Sequence, residues 1–72
     1  MNFAYADMPS GTEIAAFNST TGFIAASPPH LLNQGGSGTA AIAIGASGLF
    51  HLVARNQASQ DYIAQTIDFY IN

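Results

Sequence analysis

The sequence predicts an all-β fold, a small antiparallel sandwich or barrel-like subunit completed by oligomerisation, and three observations lead there. Apolar residues come in short runs with a period of two, and clusters of Gly, Pro, Asn and Ser separate the runs. Cysteine is absent, which removes disulfides and thiolate zinc sites as supports for a short chain. Charged residues make up only 7% of the chain, against about 25% in an ordinary soluble domain. A chain of 72 residues forms one domain that buries roughly 60% of its unfolded surface. With apolar residues at 49% and so few charges, neighbouring subunits are the natural cover for the remaining surface.

The elements follow in chain order. Phe3 and Tyr5 alternate with Ala4 and Ala6 as a first strand, and Met8, Pro9, Ser10 and Gly11 make a turn in which Pro presets one dihedral and Gly accepts positive φ. Residues 12–17 form a second run, and Asn18, Ser19, Thr20, Thr21 and Gly22 a polar loop. Residues 23–26 read as a short apolar run. Residues 27–30 contain two successive prolines, which restricts them to a loop or a sheet edge. Residues 30–33 are expected to form a brief strand, and residues 34–38 a flexible Gly-rich connection between two halves of the chain, 1–34 and 35–72. The first half is an arm or the first part of the sheet system; the second carries the better-defined strands.

Residues 39–44 read as a strand with Ile42 and Ile44 on one face, and residues 45–48 as a hairpin-like break. In residues 49–55, Phe50, Leu52 and Ala54 share one face while Leu49, His51, Val53 and Arg55 share the other, so both faces are expected to be covered. In the C-terminal segment Ile63, Ile67 and Ile71 recur every four residues, with Ser59 as a possible N-cap, which fits a helix. Its β-branched and aromatic content favours a strand instead, pairing with residues 49–55 across a polar loop at 56–60. Ile42, Ile44, Phe50, Leu52, Ile67, Phe69 and Arg55 are the expected core or subunit contacts.

Chemistry-bearing patterns are sparse. Arg55 is the sole strong cation, whereas phosphate recognition draws on several Lys or Arg side chains, so nucleic acid is not expected as a partner. His30 and His51 have no nearby ligands at metal-motif spacing, and Asp7, Glu13, Asp61 and Asp68 are isolated in sequence; no metal or cofactor is expected. No Gly-x-Ser-x-Gly elbow or phosphate-binding Gly motif occurs, so the chain reads as non-catalytic. Asn18, Ser19 and Thr20 match a glycosylation pattern but read better as a turn. Arg55 is expected to pair with Asp61 or with an acid on another subunit.

The opening residues lack the basic front of a secretory signal, which suggests synthesis and assembly in a cytoplasm. Residues 35–54 carry no Asp, Glu, Lys or Arg and match the length of a membrane-spanning helix, but five glycines and a central His51 argue against one. A membrane location is therefore disfavoured, and a small single-span membrane subunit is the third reading of the chain.

From Gly35, Gly36, Ser37, Gly38 and Thr39, through the apolar strand, to the closing Asp68, Phe69, Tyr70, Ile71 and Asn72, the sequence resembles short β-sandwich proteins of tailed phages that decorate capsids or form fibres. The resemblance covers about half the chain and rests on composition and ending. It implies a virion structural role, with subunits clustered about a symmetry axis, contacting copies of themselves and other structural proteins of the particle, and edges covered by neighbours. The alternative location is cytoplasmic. The alternative function is a small ligand- or glycan-binding β module using Tyr5, Tyr62 or Tyr70.

Overall fold

The computed structural model describes residues 1–26 and 29–72, and these form two packed antiparallel sheets with no helix. The strands are β1 (Asn2–Met8), β2 (Thr12–Asn18), β3 (His30–Leu32), β4 (Gly36–Ala41), β5 (Gly48–Asn56), β6 (Tyr62–Gln65) and β7 (Phe69–Ile71). The first sheet is the ribbon β1-β4. The second has the order β3-β2-β5-β6, with β7 on the same edge of β5 as β6. This is the small sandwich expected from the sequence.

The turn between β1 and β2 forms as its residues dictate. Thr12 Oγ1 donates to Pro9 O at 2.7 Å and Gly11 takes φ +80°. β2 and β5 then pair along their whole shared length, from Thr12 opposite Asn56 to Asn18 opposite Phe50. Their even-numbered residues face the ribbon: Ile14, Ala16, Leu52 and Ala54 form the core with Leu32, Ala26 and Ile42. Phe3, Tyr5 and Met8 descend onto it from β1, while Ala4 and Ala6 remain exposed. Alanine supplies Ala15, Ala16, Ala26 and Ala54 among the buried apolar residues. A buried methyl contributes about 0.8 kcal/mol where a buried Leu or Phe contributes about 1.5 to 3, so this core is thin.

Several sequence expectations need correction. Residues 34–38 are not a free connection, because β4 begins at Gly36. Asp7, at φ +53°, opens a bulge between Tyr5 and Met8, and its N–H donates to Ser37 Oγ at 3.0 Å. The Tyr5 ring lies over Gly38, where an added Cβ would stand 3.0 Å from the hydroxyl, so the glycine admits the ring. β4 also ends at Ala41, short of Ile42 and Ile44. Ile42 is nevertheless buried and continues the ladder, with its N–H on Met1 O at 2.9 Å, and Ile44 packs against the core.

The hairpin expected around residues 45–48 does not exist, since β4 pairs β1 in one sheet and β5 lies in the other. Residues 35–54 are accordingly parts of two strands rather than a helix, and among the described residues no helix is long and apolar enough to cross a membrane. Pairing of β1 with β4 and of β2 with β5 interleaves the two halves of the chain, so residues 1–34 are not an arm. Residues 23–26 form no strand: Ile24 makes one isolated bridge to Phe17. Of the expected proline loop, Ser27 and Pro28 lie outside the described residues.

The C-terminal segment pairs with β5 as expected, yet it breaks at residues 66–68 between β6 and β7. Thr66 makes the break: its N–H donates to Leu52 O and its Oγ1 accepts from Leu52 N–H, both at 2.9 Å. A side chain thus replaces a ladder bond, and the next residue is turned outward. Ile67 is 87% exposed and is no core residue. Phe50 and Leu52 are buried, and Phe69 packs against the core.

Candidate assembly surface

The face of β2 and β5 that points away from the ribbon is sealed by its own side chains. Glu13 stands opposite Arg55, Ala15 opposite Val53 and Phe17 opposite His51. Arg55 Nε donates to Glu13 Oε2 at 3.0 Å and Nη2 lies 2.9 Å from the same oxygen, so Arg55 pairs with Glu13 and not with Asp61. The guanidinium lies 5.5 Å from the centre of the Phe17 ring, which stacks on the His51 imidazole at 5.8 Å. This row of side chains covers Ala15 and Val53, which are fully buried on an outward face. The chain's one guanidinium is neutralised inside it, and its net charge of −3 is carried by Asp7, Asp61 and Asp68.

A second cluster joins residues far apart in sequence. Asn18 Oδ1 accepts from the N–H groups of Thr20 and Thr21 at 2.8 and 3.0 Å, a turn that sets Ser19 beside β5. Ser19 Oγ donates to Asp68 Oδ1 at 2.8 Å and lies 2.7 Å from His51 Nδ1. Because its one proton goes to Asp68, its oxygen accepts from Nδ1–H. A nucleophilic triad needs the reverse arrangement, with the imidazole accepting the serine proton and the carboxylate on its other nitrogen. Here serine and carboxylate approach the same nitrogen, Asp68 Oδ1 lying 3.6 Å from Nδ1. The cluster works as a clasp between the loop after β2, the middle of β5 and the break between β6 and β7.

Beyond the clasp lies the apolar surface. Tyr62, Ile63, Ile67 and Tyr70 are exposed along the β6 and β7 edge, with Tyr70 69% and Tyr62 60% accessible; Leu49 lies opposite Tyr70 on β5. The edge carries no basic residue and no proline from Tyr62 to Ile71, and its one charge, Asp68, is held in the clasp. Such features normally protect a sheet edge from pairing with another chain. Phe23, Ile24 and Leu31 are exposed near the opposite edge, beside β2 and β3.

An apolar cleft of about 160 Å³ opens between the sheets, where the two-stranded ribbon leaves part of the larger sheet uncovered. Phe3, Tyr5 and Met8 form one wall and Ile14, Leu52 and Ala54 the floor; Ala64, Gln65 and Thr66 of the β6 end form the other side. Tyr5 thus belongs to a wall between the sheets, whereas Tyr62 and Tyr70 stand on the surface.

Among the expected contact residues, Ile42, Ile44, Leu52 and Phe69 share the core region, Phe50 is buried, Arg55 seals the outward face and Ile67 projects from the edge. The clasp and the Glu13 to Arg55 pair were hidden in sequence because both depend on which strands are neighbours. Parity already set Arg55 and His51 on one face of their strand; opposite them, Glu13 and Phe17 required the β2 to β5 register. Comparison with protein-family models, curated proteins and solved structures gave no match.

Proposed function

We propose that this chain is a non-catalytic structural subunit of a protein assembly, in which copies of itself cover the β6 and β7 edge. The observation that carries the reading is that edge: a run of exposed Tyr and Ile side chains without a lysine, a proline or an uncommitted charge to keep other strands away. The thin, alanine-rich core points the same way, because a small domain with little to bury internally gains its further stability by burying surface between subunits. A virion particle, as a decoration or fibre component, is the assembly we favour, on the strength of the sequence resemblance.

Sedimentation of the purified chain without detergent, with far-ultraviolet circular dichroism on the same sample, tests the proposal. A β-rich oligomer that Tyr70→Asp converts to a folded monomer is the expected result. A β-rich wild-type monomer at every concentration would overturn it. Exposed Tyr62 and Tyr70 support a second reading, a small glycan-binding module, because aromatic faces are the usual platform for sugar rings. Saturable glycan binding by that monomer would favour it.

A further inference from the structure

We infer that the cleft between the sheets is the seat of one further strand: a lone extended arm of another protein, with apolar side chains at every second position, pairs there with the free edge of β1. The inference goes beyond the self-assembly proposed above and uses a different surface. The cleft opens on the inward face of the larger sheet, whereas Tyr62, opposite Arg55, and Tyr70, opposite Leu49, stand on its outward face.

The two sheets differ in width. The ribbon is two strands across and the larger sheet four, and the cleft is lined by β1 but by no residue of β4, so it lies on the free side of β1. Ala64 marks what is left uncovered: it stands opposite Ala54 of the core, hence on the inward face, and yet it is exposed. A third strand of the ribbon, about 4.8 Å from β1 and roughly 10 Å above the larger sheet, would cover it.

The backbone of β1 is prepared for that pairing. Met1 and Ile42 exchange both of their bonds, the Ile42 N–H donating to Met1 O at 2.9 Å and the Met1 amino group to Ile42 O at 3.0 Å. Bonded and non-bonded pairs alternate along an antiparallel ladder. Phe3 with Ala40 and Tyr5 with Gly38 are therefore bonded pairs, and Asn2 and Ala4 turn their N–H and C=O groups away from β4, toward the open edge. Ala4 lines the cleft, so free backbone groups and an apolar recess meet in one place.

That combination selects the occupant. Backbone pairing supplies affinity in strand addition, and recesses for alternate side chains supply specificity. A void of about 150 Å³ accepts benzene. The cleft measures about 160 Å³ without a charged residue in its lining, and two valine side chains carry as many carbons as benzene. Within this chain, β1 and β5 have alternating large apolar residues, but both are already built into sheets. A single arm brings no sheet of its own to collide with β6.

Amide hydrogen exchange, read by NMR, tests this with a synthetic peptide of about six residues alternating Val and Thr and closed by Lys at each end. The peptide is expected to slow exchange of the Ala4 N–H roughly 10-fold or more and to shift the Leu52 and Ala54 methyl signals. A peptide N-methylated along its pairing side, and one with Ser in place of Val, should each bind roughly 10-fold more weakly or worse. Ala64→Leu narrows the cleft at an exposed position, and Ala4→Pro removes the edge donor without touching the ladder to β4; each should weaken binding similarly in chains that melt like wild type. Absence of peptide binding, binding without protection of Ala4, or equal binding of the N-methylated peptide would overturn the inference. Uptake of benzene but not of peptide would make the cleft a site for small apolar molecules instead, and protection of Ala4 that rises with protein concentration alone would give the place to a second copy.

Discussion

Removing either partner of the Glu13 and Arg55 pair should have unequal effects, and the structure sets the order. The two side chains are 9% and 15% exposed, far below the range in which solvent screening makes an ion pair nearly worthless. Breaking a buried pair from one side costs about 3 to 5 kcal/mol, because a charge is left without compensation. In Arg55→Met that charge is Glu13, the more buried group, whose remaining hydrogen bond is a long one from Gln60 Nε2 at 3.4 Å. About 3 kcal/mol or more is expected to be lost. In Glu13→Gln an acceptor remains for Arg55, which also keeps the Phe17 ring beneath it, so about 1 to 2 kcal/mol is expected. The double substitution Glu13→Leu with Arg55→Met removes both charges and should recover most of the larger loss. Gln60 then loses one acceptor but keeps Gln57 O at 2.8 Å. A domain of this size has a total stability of about 4 to 11 kcal/mol, so Arg55→Met alone takes up a large share of it. Urea unfolding followed by circular dichroism, at one fixed protein concentration, reads the differences; with a slope of about 1 kcal/mol per molar, the Arg55→Met midpoint moves down by about 3 M. Single substitutions that all fall within about 0.5 kcal/mol of wild type would refute the reasoning, as would a double variant worse than both.

Three further outcomes are expected. Leu52→Asp places an unpaired charge in the core between the sheets and should abolish folding, seen as loss of the β-sheet dichroism; a folded Leu52→Asp would contradict the core assignment. Gly35→Ala should destabilise by more than about 1 kcal/mol, since φ is +66° and the added methyl meets Met8 O and the backbone of Pro9 and Ser10, whereas Gly45→Ala, with open space around it, should be neutral or slightly stabilising; equal melting temperatures for the two would argue against the packing of that turn. Ser19→Ala opens the clasp, and a loss of about 1 to 2 kcal/mol is expected together with faster amide hydrogen exchange around residues 66–68; unchanged exchange there would show that the clasp does not hold the break.

The legible part of the fold was what period and turn chemistry encode. Strand parity in residues 49–55 separated Phe50, Leu52 and Ala54 from His51 and Arg55, and the turn at Met8, Pro9, Ser10 and Gly11 formed where its residues required. The errors came from treating neighbours in sequence as neighbours in space. Residues 39–44 and 49–55 looked like a hairpin because a Gly-rich turn joins them, but the chain crosses between sheets there. Gly36, Ser37 and Gly38 looked like a linker because propensity takes no account of Tyr5, whose ring occupies the space that a side chain at Gly38 would have filled. Ile67 kept the period of a core residue, and only the Thr66 side chain, acting as a backbone substitute, turned it outward.

The interleaved order of the strands has a consequence for how the chain must fold. β1 pairs near its start with Ala41 across β2 and β3 of the other sheet, and β2 pairs with residues up to Asn56 across β3 and the β4 strand of the ribbon. Neither long pairing has a local nucleus, so each must close a wide loop before its contacts return anything, and contacts of that kind fold slowly. On a ribosome, β1 emerges early and waits without a partner until β4 has been made, and β2 has only the three-residue β3 beside it until β5 follows. β5 pairs on both of its edges, so it joins the early β2 to the late β6 and β7, and the larger sheet has no centre until it is made. A folding pathway of this shape is close to all-or-none: truncation before residue 56 should leave an unstructured chain rather than a smaller sandwich.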